Sequence, residues 1–127
     1  MYRIAILAEQ DEERRTYVDQ ITRFCHERGL FPQVEEHSNQ EQFFEAALKA
    51  APTNAVIALG GVAGLNAAEH LRALCPACGI IWCSDLDFSL QAFRLRAEYF
   101  ILQPVSEERF RQGLTVWFES GGRHPAP

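Results

Sequence analysis

The feature that most constrains this chain is an alternation: short, almost wholly apolar runs recur along it, each followed by a longer stretch with helical spacing. Residues 2–7, 54–59, 80–83 and 99–102 are such runs, and residues 31–37 form a more polar one, with Val34 beside Pro32, Glu35 and Glu36. A run that lacks polar alternation buries both of its faces, as strands do in a parallel sheet covered by helices on each side. Proline and charge in residues 31–37 put that strand at a sheet edge.

The intervening stretches carry helix signals. Acidic residues from Glu9 to Glu13 open a first helix that buries Val18, Ile21, Phe24 and Cys25 and ends at Gly29. Ser38 with Glu41 three residues on reads as a capping box ahead of a second, with Phe43, Phe44, Ala47 and Leu48 on one face. Leu65, Ala68, Leu71 and Leu74 mark a third between Gly60-Gly61 and Pro76. Asp87 caps a fourth that turns Leu90, Phe93 and Ala97 inward. Ser106 caps a fifth, with Glu107 and Glu108 in its first turn and Phe110, Leu114, Trp117 and Phe118 buried. Five strands alternating with five helices predict a three-layer α/β/α domain of flavodoxin-like type, its parallel sheet ordered 2-1-3-4-5. The domain spans residues 1–118 of the 127, and the tail 119–127 is expected to be disordered.

Charge and hydropathy exclude several functions. A formal charge of −5 opposes direct binding to nucleic acid. No apolar run approaches the about 18 residues that span a bilayer, so the expected location is the cytoplasm and no membrane contact is foreseen. Cys25, Cys75, Cys78 and Cys83 are expected as thiols, because a chain this apolar fills a core without staples.

The opening MYRIAI, the stretch Gly64-Leu65-Asn66 and above all residues 89–106 (SLQAFRLRAEYFILQPVS) resemble the receiver domains of bacterial response regulators, in the branch that precedes LytTR-type DNA-binding domains. The likeness runs from residue 1 to about residue 118. It implies a phosphoryl-accepting aspartate after the third strand, with Mg²⁺ held there and by an acidic pair after the first. It also implies a hydroxyl after the fourth strand and a lysine after the fifth. Carried over by position, the acceptor falls on Leu59, the acidic pair on Ala8 and Glu9, the hydroxyl on Ser84 and the lysine on Gln103. Only Glu9 and Ser84 keep their type. Leucine has no lone pair with which to attack phosphorus, and one carboxylate is too little for Mg²⁺. The resemblance therefore implies a receiver that is not phosphorylated, needs no cofactor or metal, catalyses nothing and acts by protein contact. Arg96 stands where the family usually has glycine, and a left-handed backbone there costs arginine about 1 kcal/mol or more.

Other motifs point elsewhere. Cys75-Pro-Ala-Cys78, with Cys83 near and His70 as a fourth ligand, makes a thiol or metal sensor the competing class. Cys75 closes a helix, however, where the dipole has the wrong sign to acidify a thiol. Gly60, Gly61 and Gly64 miss the dinucleotide fingerprint and read as a tight loop. His26, His37, His70 and His124 form no catalytic spacing. A third possibility is a receiver piece of a longer transcriptional regulator. The expected contact surface, for a protein partner or a homodimer, is the face of helix four, strand five and helix five. It comprises Gln91, Arg94, Tyr99, Ile101, Glu107, Glu108 and Arg111.

Overall fold

The computed structural model describes residues 2–119. Strands β1 (Arg3–Ala8), β2 (Gln33–His37), β3 (Asn54–Ala58), β4 (Gly79–Ser84) and β5 (Tyr99–Leu102) alternate with five helices. These are α1 (Asp11–His26), α2 (Gln40–Lys49), α3 (Gly61–Leu74), α4 (Ser89–Arg94) and α5 (Glu107–Glu119). The sheet is ordered β2-β1-β3-β4-β5 with every pairing parallel, which is the predicted flavodoxin-like arrangement. Residue 119, expected to begin the disordered tail, closes α5 instead, and from residue 120 on that expectation lies outside the described residues.

Side chains of successive strand residues point to opposite faces, and each face is covered. Ile4, Ile6, Val56, Ile81 and Ile101 pack with Tyr17, Ile21 and Phe24 of α1 and Phe110, Leu114 and Trp117 of α5. Leu7, Ile57, Ile80 and Trp82 pack on the other side with Phe43 and Phe44 of α2, Leu71 of α3 and Ala92 of α4. This is why β1, β3 and β4 read as unbroken apolar runs. At the β2 edge the charged positions are used, Glu35 pairing with Arg3 and Glu36 with Arg14 at 3.3 Å.

Helix ends follow local chemistry, but Asp87 is not the cap of α4: that position is Phe88, which has no capping side-chain bond, and Asp87 accepts the Ser89 N–H at 3.0 Å from one residue earlier. Ser106 caps α5 as predicted, its Oγ accepting the Arg109 N–H at 3.1 Å. For α2 the cap is Asn39, whose Oδ1 accepts the Gln42 N–H at 2.9 Å, and not Ser38. Leu48 is exposed rather than buried. At about 100° per residue it falls roughly 90° from the centre of the Phe43–Phe44–Ala47 stripe, off the buried face.

The larger correction concerns α4. Its six residues bury only Ala92, while Leu90 is 57% and Phe93 80% exposed, and Ala97 lies beyond the helix. The space beneath α4 is already filled. Phe88 stacks on Trp82 at 5.4 Å and Phe100 meets the same indole edge-on at 5.3 Å, so an alanine is what fits against them.

Helices α1 and α4 end alike. In each a residue with positive φ follows the last turn, and the next N–H returns to a carbonyl five residues back: Leu30 to Cys25 at 2.9 Å, Ala97 to Ala92 at 3.0 Å. Gly29 (φ 71°) suits this, whereas Arg96 (φ 57°) has a Cβ in the way. Arg96→Gly is expected to raise unfolding free energy by about 0.5–1 kcal/mol in urea titration. A loss of stability would show that the arginine stem compensates.

Candidate site at the carboxyl ends of the strands

The strand order reverses between β1 and β3, and the crevice at their carboxyl ends is where open parallel sheets place ligands. The five positions singled out from the sequence all lie at this end. Ala8 closes β1 and is buried, and Glu9 follows it, exposed. Leu59 follows β3, buried in the core beneath α3. Ser84 closes β4, fully buried, and Gln103 follows β5, half-buried.

Their polar neighbours are largely occupied by each other. The guanidinium of Arg14 donates to the Ala8 carbonyl at 2.8 Å and to Asp11 at 2.6 Å. Gln103 Nε2 donates to Glu13 Oε2 at 3.4 Å, and the same oxygen accepts the Tyr17 hydroxyl at 2.6 Å. Burial, reinforced by nearby Cys83, pushes the Tyr17 phenol far above its ordinary range, so it remains a donor. Glu13, Tyr17 and Gln103 line an open cleft of about 800 Å³ together with Pro104 and Val105. Beside Leu59, the buried Ser84 Oγ accepts the Leu86 N–H at 3.2 Å and lies 3.5 Å from Asp85 Oδ1. That carboxylate oxygen accepts the Gly61 N–H at 2.8 Å.

Arg14, Glu13 and Asp85 escaped the sequence reading as members of this site. Their partners are fixed by packing, and only the placement of Asp85 directly after Ser84 could have drawn attention to it.

The thiols lie elsewhere. Cys75 caps the C-terminus of α3, as expected, and all four cysteines are buried and free. Burial pushes Cys78 and Cys83 up to about 12 and Cys25 up to about 11, and it also raises Cys75. Such thiols are poor nucleophiles at neutral pH. Among the described residues no group of three or more His, Cys, Asp or Glu side chains is arranged to hold a metal ion. His70, the fourth ligand considered, is exposed and stacks on Phe44 at 3.9 Å. His26 lies against Phe31 and His37 against Phe43, while His124 falls outside the described residues.

The proposed contact face is rearranged relative to expectation. Ile101 is fully buried in the core shared with α1 and α5, because its position on β5 points to that layer, and it reaches no surface. Glu107 and Arg111 turn toward α1, pairing with Arg23 at 3.6 Å and Glu27 at 2.9 Å. Gln91, expected outward, is half-buried, whereas Arg94 and Glu108 are exposed. Tyr99 is half-buried, its hydroxyl donating to Gln112 at 2.7 Å. Beside those charges the face exposes apolar side chains that were not expected there: Leu86, Leu90, Phe93 and Leu102. Leu90 and Phe93 lie three apart on one side of α4, a spacing that in sequence is indistinguishable from a buried stripe.

No family model matches the sequence, and no curated protein does. Solved structures do match. A response regulator receiver domain protein from Clostridium thermocellum superposes with a TM-score of 0.72 at 10% identity, covering 91% of each chain. The structural neighbours are response regulator receiver domains. The receiver domain of AraT, a response regulator from Geobacillus stearothermophilus, gives 0.71 at 20% identity over 91% of this chain and 92% of its own. A LuxR-family two-component response regulator from Aurantimonas gives 0.71 at 21% identity over 91% and 83%. The chain thus has the receiver fold, and no described helix is long and apolar enough to cross a membrane.

Proposed function

We propose that this chain is a pseudo-receiver: a cytoplasmic signalling module of the receiver fold that is not phosphorylated, catalyses no reaction and acts through protein contact. The observation that carries this is Leu59. It occupies the end of β3 at the strand switch, where the receiver resemblance places the phosphoryl-accepting carboxylate, and the segment from Asn54 to Ala68 holds no acid to replace it. The neutral Gln103 at the end of β5 agrees, since a lysine there would lack its carboxylate partner. The likeness of residues 89–106 to LytTR-branch receivers supports a place among transcriptional signalling proteins. The contact surface is the α4–β5–α5 face, with Leu90 and Phe93 at its centre and Arg94, Tyr99 and Glu108 around them. An exposed aromatic and leucine ringed by charge suit a contact centre.

Two measurements test this together. Acetyl phosphate with Mg²⁺ is expected to leave the intact mass unchanged, and a phosphoryl adduct on any carboxylate would overturn the assignment. In sedimentation velocity at high micromolar concentration the chain is expected to self-associate, and the double variant Leu90→Ser, Phe93→Ser to do so about tenfold more weakly or worse. A double variant that associates as well as the wild type would remove α4 from the surface.

A further inference from the structure

The β4–α4 connection, residues 85–88, is tied down by an unusual set of contacts. Helix α3 begins at a glycine cap with no side chain to satisfy its free N–H groups and with no acidic residue in its first turn. The missing anion arrives from 24 residues further on: Asp85 Oδ1 accepts the Gly61 N–H at 2.8 Å. Gly60 makes room for it, since a Cβ there would lie 3.3 Å from the same oxygen. Leu86 then bonds to the buried Ser84 Oγ, and Phe88 stacks on Trp82. The Phe88 carbonyl accepts the Ala92 N–H at 2.8 Å, so α4 grows directly from this anchored loop.

We propose that Asp85 is an internal latch: its carboxylate serves as the chain's own anion at the start of α3 and holds the β4–α4 loop, and with it Leu90 and Phe93, in one arrangement without any added group. This deepens the pseudo-receiver reading and rests on it, for the contact surface proposed there stands on α4, where Leu90 and Phe93 are exposed. The contact is solvent-exposed, so its effect is local and moderate.

The test is amide hydrogen exchange and ¹⁵N–¹H spectra of the full chain, comparing wild type with Asp85→Ala and Asp85→Asn. The Asp87→Ala control removes a neighbouring carboxylate that accepts the Ser89 N–H at the start of α4, at 3.0 Å, and not the Gly61 N–H. In Asp85→Ala the Gly61 resonance should move and residues 86–95 should exchange about tenfold faster, with β1 and α5 unchanged. Asp85→Asn should fall between, and Asp87→Ala should leave Gly61 in place. Unaltered exchange in residues 86–95, or an equal rise throughout the chain, would overturn the latch. If Asp85→Ala does not fold, the same pattern is read in Asp85→Asn. A phosphoryl adduct on the wild type would instead strike the premise, a separate result from a separate measurement.

Discussion

Replacing Arg72 with alanine is expected to lower the unfolding free energy by about 3–4 kcal/mol, a large share of the stability of a domain this size. Its side chain is only 10% exposed and serves four carbonyls on two connections. Nε donates to Leu95 at 2.7 Å, Nη1 to Pro76 at 2.9 Å and Cys78 at 2.6 Å, and Nη2 to Arg96 at 3.0 Å. Glu98 sits 3.6 Å away and is 21% exposed, its own Oε1 accepting the Ile80 N–H at 2.6 Å. Truncation strands a half-buried carboxylate and leaves the carbonyls at the start of β4 and the end of α4 without their shared donor. Lysine keeps the charge but not the planar fork, so Arg72→Lys should recover less than half of the loss. Urea unfolding followed by circular dichroism reads both values, and a loss below about 1 kcal/mol for alanine would show that water replaces the guanidinium. Because the clamp grips Leu95 and Arg96, the same variant should loosen the end of α4.

Gly64→Ala is expected to cost about 2–3 kcal/mol, although alanine is the better helix former by about 1 kcal/mol. The reason is the close approach of α3 to the end of β3. A Cβ on Gly64 would press into the carbonyl oxygen of Leu59, lie 3.2 Å from the carbonyl carbon and touch the Trp82 indole nitrogen at 3.4 Å. Backbone cannot swing aside as a flexible side chain does, so α3 must lift, and Leu59 and Trp82 lose their packing. Thermal and urea unfolding measure the change. A neutral or stabilising result would mean that α3 shifts at little cost and that its seat on β3 is loose. The variant also bears on the candidate site, because the same lift would draw the Gly61 N–H away from Asp85.

What could be read from the chain alone was whatever depends on near neighbours or on the presence of an atom. The unbroken apolar runs of β1, β3 and β4 required cover on both faces, and Pro32, Glu35 and Glu36 required an edge. Among doubly wound parallel sheets, the order 2-1-3-4-5 fits that pattern best. The side chain of Leu59 contains no nucleophile in any fold, and Gly29 and Ser106 act on backbone within a turn of themselves. The family resemblance, which has glycine at position 96, flagged the cost of a left-handed backbone at Arg96.

The tertiary structure decided everything that depends on a partner far along the chain. Helical spacing of Leu90 and Phe93 defines a stripe but not its direction. The direction was set by Trp82, Phe88 and Phe100, which fill the space beneath α4 and turn the stripe to solvent. Alternation on β5 could not say which layer would receive Ile101, nor could an acidic first turn say that Glu107 would meet Arg23 on α1. Arg72 gripping the turn at Leu95 and Arg96, and Asp85 reaching back to Gly61, are bonds between groups separated by more than twenty residues. Local sequence carries the periodicity that selects the elements, and only the packed sheet brings such groups within hydrogen-bond distance.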